Sequence, residues 1–206
     1  MENLMNNNVV NLSGKISAEP IFSHQVFGEG FYETVMEVER LSSQKDMIPI
    51  TISERLMQEV DLEEGDFLTI EGQFRSYNKV IDGKSKLMLT VFVRECKENL
   101  DREDVNSVEL TGYVCKPPIF RTTPFKREIA DVLIAVNRAY NKSDYIPCIA
   151  WGRNARFASR LGIGDKVSLV GRIQSREYQK ALENGDVETR TAYEISISRI
   201  SYAEEE

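Results

Sequence analysis

The sequence VELTG at residues 108–112 is preceded, 98 residues earlier, by the similar sequence VNLSG at residues 10–14. Further Pro, Phe and Arg positions repeat at the same offset: PIF at 20–22 and 118–120, Phe27 and Phe125, Arg40 and Arg138, and IP at 48–49 and 146–147. Beyond these the offset becomes 99, where the Gly-Asp pairs at 65–66 and 164–165 align. A period this long predicts two tandem domains of about 95 residues rather than a solenoid.

Short runs in which β-branched and aromatic residues alternate with polar ones predict strands in both halves. In the second half we place five strands, near residues 107–115, 129–138, 145–151, 166–178 and 190–201. A helix is predicted between the third and fourth strands, at 154–161, with Gly162 as its stop, and its counterpart in the first half is 54–60. This order predicts an all-β protein made of two tandem five-stranded OB-fold barrels, each with a short helix between strands 3 and 4.

Charge is distributed unequally between the two predicted domains, which we place at 1–98 and 107–203 with a polar linker at 99–106. The net charge of −7 argues at first against nucleic acid, because phosphate binding normally needs a basic surface. However, residues 1–100 hold 10 Lys and Arg against 17 Asp and Glu, whereas residues 105–203 hold 15 against 10. The second domain is therefore the one suited to a phosphate-bearing partner.

The second half resembles the bacterial single-stranded DNA-binding protein family over residues 106–202. The resemblance is carried by six segments in the same order: NSVELTG (106–112), IFRTTP (119–124), IAVNRAY (134–140), DYIPCIAWG (144–152), GDKV (164–167) and VGRIQSREY (170–178). It implies sequence-tolerant binding of single-stranded DNA in replication, recombination or repair. In that family aromatic rings stack on the bases, and every base presents a ring face for such contact.

The resemblance implies a set of DNA-contacting residues. The aromatic positions that match the family are Tyr140, Tyr145, Trp151 and Tyr178. Basic residues interleaved with them, which can neutralise phosphates, are Arg121, Arg127, Arg138, Lys142, Arg153, Arg172 and Arg176. Strand alternation supports this assignment, because Tyr145 and Trp151 fall on one face while Ile146, Cys148 and Ala150 form a small apolar face suited to a barrel interior.

The first half keeps the barrel pattern and loses most of these aromatics. At the same offset Ser42 replaces Tyr140, Met47 replaces Tyr145 and Ser53 replaces Trp151, while Tyr77 lies near the counterpart of Tyr178. With an acidic charge as well, we expect the first barrel to be a degenerate copy that serves in assembly or binds a different partner.

Partners and location follow from the same resemblance. Family members with one barrel per chain work as tetramers, so a two-barrel chain is expected to reach four barrels as a homodimer. The family's Gly/Gln/Pro-rich linker and apolar tip are not found in YAEEE at 202–206, so recruitment of other proteins through an acidic tip has no support from the resemblance. No apolar run long enough for a membrane span is found, nor do the first eight residues have signal-peptide features, so we expect a cytoplasmic, nucleoid-associated protein.

Catalysis has little support in the sequence. His24 is the single histidine, in an apparent loop, and neither a nucleophile nor a metal-ligand cluster accompanies it. Three cysteines without a C-x-x-C spacing are expected to be reduced and structural. We therefore expect no enzyme activity, no cofactor and no metal. Two alternatives stay open: an OB-fold adaptor of the replication machinery that binds mainly proteins, and an RNA-binding OB protein.

Overall fold

Each half of the chain forms a β-barrel of five strands, accompanied by one short extra strand and one short helix. The computed structural model describes residues 6–81, 83–181 and 185–204. The first barrel consists of β1 (Asn8–Ile16), β2 (Ile21–Val26), β3 (Glu29–Glu39), β4 (Lys45–Ser53), α1 (Glu54–Glu59), β5 (Phe67–Ile81) and β6 (Lys84–Glu98). The second consists of β7 (Val105–Val114), β8 (Ile119–Thr122), β9 (Glu128–Arg138), β10 (Lys142–Trp151), α2 (Arg153–Ala158), β11 (Lys166–Ala181) and β12 (Val187–Tyr202).

Strand pairing closes each barrel in the same order. In the first, β1 pairs with both β3 and β5, β3 pairs with β4, β5 pairs with β6, and β4 runs parallel to β6. The second repeats this ring with β7, β9, β10, β12 and β11. The prediction of two tandem OB-fold barrels is confirmed.

The repeated motif ends in glycine because a side chain at this position would clash with the neighbouring strand. A Cβ on Gly14 would lie 2.3 Å from the Glu37 carbonyl oxygen, and one on Gly112 would lie 2.5 Å from the Ala135 carbonyl oxygen. Any larger residue would push β1 away from β3, or β7 away from β9, at the point where the ring closes. Each VxLxG motif is thus a signature of barrel closure.

The short helix caps one end of each barrel. The hydroxyl of Ser53 accepts a hydrogen bond from the Leu56 backbone N–H at the start of α1, and Leu56 is buried. In α2, Ala155 and Ala158 face the core. Among the described residues, no helix is long and apolar enough to cross a membrane.

Sequence analysis missed the short strands β2 and β8. All six residues of β2 and all four of β8 are exposed, so neither shows the alternation of buried and exposed positions by which strands are recognised. His24 was expected in a loop, which is wrong, because it lies in β2 and pairs with Phe31 of β3. The last two acids of the YAEEE segment, Glu205 and Glu206, lie outside the described residues.

The two barrels are joined by antiparallel pairing of β1 with β7. Val10 lies opposite Val108, Asn8 opposite Leu110 and Leu12 opposite Asn106. Because Val10 and Val108 are counterparts in the repeat, the seam has an approximate two-fold axis between them. Both valines are fully buried.

Two buried carboxylates cross from one barrel to the other on either side of this seam. Asp46 accepts a 2.8 Å hydrogen bond from the Ser175 backbone N–H, and Asp144 accepts one of 2.7 Å from the Ser76 backbone N–H. The serine hydroxyls accept in return from the backbone of Met47 and Tyr145. These matched contacts fix how the outer faces of the two barrels lie relative to each other.

Candidate nucleic-acid interface

The outer face of β10 carries two exposed aromatic side chains. The side chains alternate along this strand, so that Ile146, Cys148 and Ala150 are buried while Tyr145 and Trp151 are exposed by 46% and 38%. The predicted inner face and the exposure of Tyr145 and Trp151 are confirmed, but Ile149, which falls on the same face as these two rings, is buried. Six residues at about 3.3 Å each place the two rings about 20 Å apart along the strand.

Tyr140 lies in a 3-10 turn, Ala139–Asn141, that joins β9 to β10. Its backbone φ is 62°, in the left-handed region, and its side chain is 93% exposed. A residue other than glycine is strained in this region, and such strain concentrates at ligand-binding positions. Tyr140 thus extends the aromatic surface beyond the Tyr145 end of β10.

Tyr178 lies on the long hairpin formed by β11 and β12. The guanidinium carbon of Arg176 lies 6.0 Å from the centre of its ring, and 38% of Tyr178 is exposed. The ring lines a groove of about 570 Å³ between this hairpin and the first barrel. Pro147 of β10 lines the same groove, which connects Tyr178 with the outer face of β10, and Tyr77 of β5 lies on its far side.

The predicted basic residues fall into an exposed group and a half-buried group. The exposed residues are Arg121, Arg127, Lys142, Arg153 and Arg176. Of these, Arg121 forms a 2.9 Å ion pair with Asp131, and Arg176 forms one of 3.8 Å with Glu194. Arg138 and Arg172 lie half-buried near the seam, so the exposed group is the better placed to contact phosphates.

Arg138 and Asp144 are coupled electrostatically at the seam. The Arg138 Nε lies 3.1 Å from Asp144 Oδ2 and forms an ion pair with it. Both atoms are buried, and neither takes part in a hydrogen bond. Burial raises the pKa of the Asp144 carboxyl, while hydrogen bonding from Ser76 and the charges of Arg138 and Arg75 oppose that rise. The pKa of Arg172 is lowered by burial and by the nearby charge of Arg40. Arg138 and Arg172 therefore place positive charge beside the buried carboxylates of the seam.

In the first barrel, phenylalanines occupy the surface around the position that matches Trp151. Ser53 is buried there, and Phe31 and Phe92 meet with their ring centres 5.6 Å apart. His24 stacks on Phe31 at 5.2 Å, and the guanidinium carbon of Arg75 lies 3.9 Å from the centre of the Phe92 ring. The sequence repeat pairs Ser53 with Trp151 and so indicates a lost ring. Phe31 and Phe92 are not found by this comparison, because they lie on β3 and β6, the strands on either side of β4.

The described residues offer no group of three or more His, Cys, Asp or Glu side chains arranged to hold a metal ion. The arrangement on the second barrel can instead provide ring faces for bases and guanidinium or ammonium groups for phosphates. It defines the class of the molecule: an OB-fold protein with an aromatic, basic outer face on its second barrel.

Comparison with known proteins gives the family. The model of the Single-strand binding protein family matches residues 105–203. Single-stranded DNA-binding protein B of Bacillus subtilis (strain 168) is 35% identical over 81 residues, which are 36% of this chain and 72% of that protein. The chain belongs to the single-strand binding protein family.

Other relatives match shorter shares of their own length. Single-stranded DNA-binding protein 1 of Staphylococcus aureus (strain COL) is 34% identical over 82 residues, which are 36% of this chain and 49% of that protein. The chain thus spans about half the length of this curated relative.

A solved structure matches both barrels together. The wild-type single-stranded DNA-binding protein from Thermus aquaticus has a TM-score of 0.73 and 21% identity, covering 97% of this chain and 94% of that chain. At this identity the match establishes the shared tandem fold.

Proposed function

We propose that this chain binds single-stranded DNA without strong sequence preference, through ring stacking and phosphate neutralisation on its second barrel. The observation that carries the proposal is the outer face of β10, where Tyr145 and Trp151 are exposed on one side of a strand whose other side fills the core. Water-exposed rings gain by stacking on unpaired bases, and each such contact contributes about 1–3 kcal/mol.

Tyr140 and Tyr178 add two further rings to this surface. Tyr140 lies in the turn before β10 and Tyr178 on the β11–β12 hairpin, beside Arg176. Arg127, Lys142 and Arg153 supply exposed positive charge on the same barrel. A strand laid over this surface meets rings and cations in turn, as sequence-tolerant binding requires. The protein would then serve DNA replication, recombination or repair in the cytoplasm, at the nucleoid, as a binding protein without catalysis.

The first barrel has a role in assembly under this proposal. Its acidic charge disfavours phosphate, whereas its backbone pairs with the second barrel through β1 and β7 and through the Asp46 and Asp144 hydrogen bonds. One chain thus holds two barrels in a fixed, nearly two-fold arrangement. Two chains related by closed symmetry would give four barrels around the DNA.

Sedimentation at micromolar concentration tests the assembly. A homodimer gives about twice the chain mass of 23.6 kDa. A mass equal to one chain at all concentrations contradicts the four-barrel arrangement while leaving DNA binding by the single chain to be judged by titration.

Competition among nucleic acids tests the function itself. Labelled oligo-dT should be displaced by unlabelled oligo-dT and much less by duplex DNA, and oligo-rU measures any preference for RNA. The logarithm of affinity should fall with the logarithm of salt concentration at about 0.7 per neutralised phosphate. Arg176→Gln should reduce this slope by about 0.7, whereas Arg55→Gln on the acidic barrel should leave it unchanged. Absence of binding at low salt, or binding without salt dependence, would favour a protein-binding adaptor instead.

A further inference from the structure

The two barrels place aromatic rings at different positions around matching points on their outer faces. In the second barrel Trp151 of β10 lies opposite Ile129 of β9, and Ser196 of β12 lies beside β10. In the first barrel Ser53 of β4 lies opposite Phe31 of β3, and Phe92 of β6 is the counterpart of Ser196. The ring therefore lies on the middle strand in the second barrel and on the two flanking strands in the first.

Phe31 lies opposite Ser53 of β4, and Phe92 lies opposite Thr51 of the same strand. These small residues let the two rings meet across β4. Phe31 and Phe92 contact each other at 5.6 Å between ring centres, and His24 continues the row on the other side of Phe31 at 5.2 Å with ring planes 11° apart. Phe31 and Phe92 are half-buried and His24 is exposed. The faces between these rings are in contact with one another, so their solvent edges and the outer face of His24 remain for a ligand.

Positive charge lies at the other end of this row, although the barrel as a whole is acidic. Arg75 covers the Phe92 ring at 3.9 Å. Burial lowers the pKa of Arg75 to about 10, with contributions from the charges of Arg138 and, more weakly, Arg94, so it stays charged at neutral pH. Arg138 belongs to the second barrel and lies in the strand that leads to Tyr140. Arg75 and Arg138 therefore place positive charge at the seam, between the outer faces of the two barrels.

We propose that His24, Phe31 and Phe92 form a second nucleobase-contacting patch, which takes the part of the DNA strand that extends past the second barrel. The patch adds a ligand-binding role to the first barrel beside its role in assembly. Phosphates between the two surfaces would pass Arg75, Arg94 and Arg138, and bases would contact the edges of the phenylalanines and the open face of His24. The inference rests on the proposed function, because its ligand is the same single strand.

Oligonucleotides of two lengths separate this patch from the main surface. Oligo-dT of about 10 nucleotides fills about one OB-fold, and oligo-dT of about 30 nucleotides is long enough for both barrels. Trp151 is the single tryptophan of the chain, so its emission reports on the second barrel alone. In the full chain, Phe31→Leu combined with Phe92→Leu should leave affinity for the short strand unchanged and lower affinity for the long strand about fivefold.

Phe27→Leu is the matched control, because Phe27 is an exposed ring at the β2–β3 turn of the same barrel and lies outside the patch. It should leave both affinities unchanged. A reporter variant, Phe92→Trp with Trp151→Phe, decides the matter even if the double leucine variant folds poorly. Its emission should change on saturation with the long strand and stay constant with the short one.

Two results would overturn the patch: unaltered affinity of the double leucine variant for the long strand, or an unmoved reporter at saturation with it. If the unmodified chain binds neither strand by Trp151 emission or by anisotropy, the proposed function fails and the patch fails with it. Binding of the short strand with the normal Trp151 response, together with either overturning result, would remove the patch alone.

Discussion

At the middle of β4 and β10 the two barrels have the same inward pattern, Ile48 and Ile50 in one and Ile146 and Cys148 in the other, all of them buried. The outward position at the strand end holds Ser53 in the first barrel and Trp151 in the second. The difference shows that different constraints act on the interior and on the outer face of a repeated barrel. Core residues must fill the same volume in both, whereas outward residues change with the ligand.

The same division appears in the polar residues. Asn8 exchanges two hydrogen bonds with the backbone of Phe74, and its counterpart Asn106 exchanges two with the backbone of Ile173. An asparagine that satisfies both a buried N–H and a buried C=O cannot be replaced without leaving one of them unpaired. Features that close the barrel or form the seam are thus kept in both copies, while charge and exposed rings are not.

The sharpest test of this difference is to separate the barrels by cutting the chain within 99–104. The fragment that contains the second barrel should retain most of the affinity for oligo-dT, because it holds Tyr140, Tyr145, Trp151 and Tyr178. The first-barrel fragment should bind about 100-fold or more weakly, since two or more stacking contacts are lost. Anisotropy of a labelled strand measures both. Equal affinity of the two fragments would contradict the division of roles.

Substitution at one matched position gives the next largest effect. Trp151→Ala should weaken binding of oligo-dT by about 1–3 kcal/mol, because one exposed ring face is lost. Ser53→Ala, at the corresponding position of the first barrel, should leave binding unchanged. Affinity by calorimetry is the measurement, and thermal unfolding of both variants checks the fold. Similar losses for the two variants would mean that the outer faces do not differ in function as proposed.

The fold followed from the sequence because its determinants repeat. Gly14 and Gly112 are required by close strand approach, and each recurs with the apolar pattern around it. The helices were expected at 54–60 and 154–161 and are found at Glu54–Glu59 and Arg153–Ala158. By contrast, β2 and β8 could not be predicted, because an exposed hairpin edge has no apolar period.

The candidate site was predictable only in part. The family resemblance identified Tyr145 and Trp151, and alternation along β10 supported them, since successive side chains of a strand point to opposite faces. The row formed by His24, Phe31 and Phe92 depends on β3, β4 and β6 being side by side, which is a property of the closed barrel. The pairing of Asp144 with the backbone of Ser76 likewise needs two barrels in contact, so nothing local in the sequence indicates it.

The seam can be tested through the ion pair of the second barrel. Arg138→Gln should lower the free energy of unfolding by about 1–3 kcal/mol, because the buried Asp144 carboxylate loses its charged neighbour. Adding Asp144→Asn should recover part of this loss, since the amide has no charge to compensate. Urea unfolding measures both variants. A fully stable Arg138→Gln variant would show that the seam does not depend on this charge.

A smaller effect is expected from pH. Burial raises the pKa of Asp144, so the folded chain keeps this proton at pH values where the unfolded chain has released it. The contribution of the group to stability is complete below its ordinary pKa and is lost as pH rises through the raised value. Wild type should therefore gain stability relative to Asp144→Asn as the pH is lowered from about 7 towards about 4. A difference that is constant with pH would contradict the raised pKa of Asp144.

The most direct test of the difference between the barrels is the emission of Trp151 during titration of the full chain with oligo-dT. The ring is the only tryptophan of the sequence and lies at the end of β10 on the proposed binding face. We expect saturable quenching that follows the anisotropy of the labelled strand, because the indole stacks on a base. Emission that stays constant while anisotropy shows full binding would place the DNA elsewhere and contradict the account.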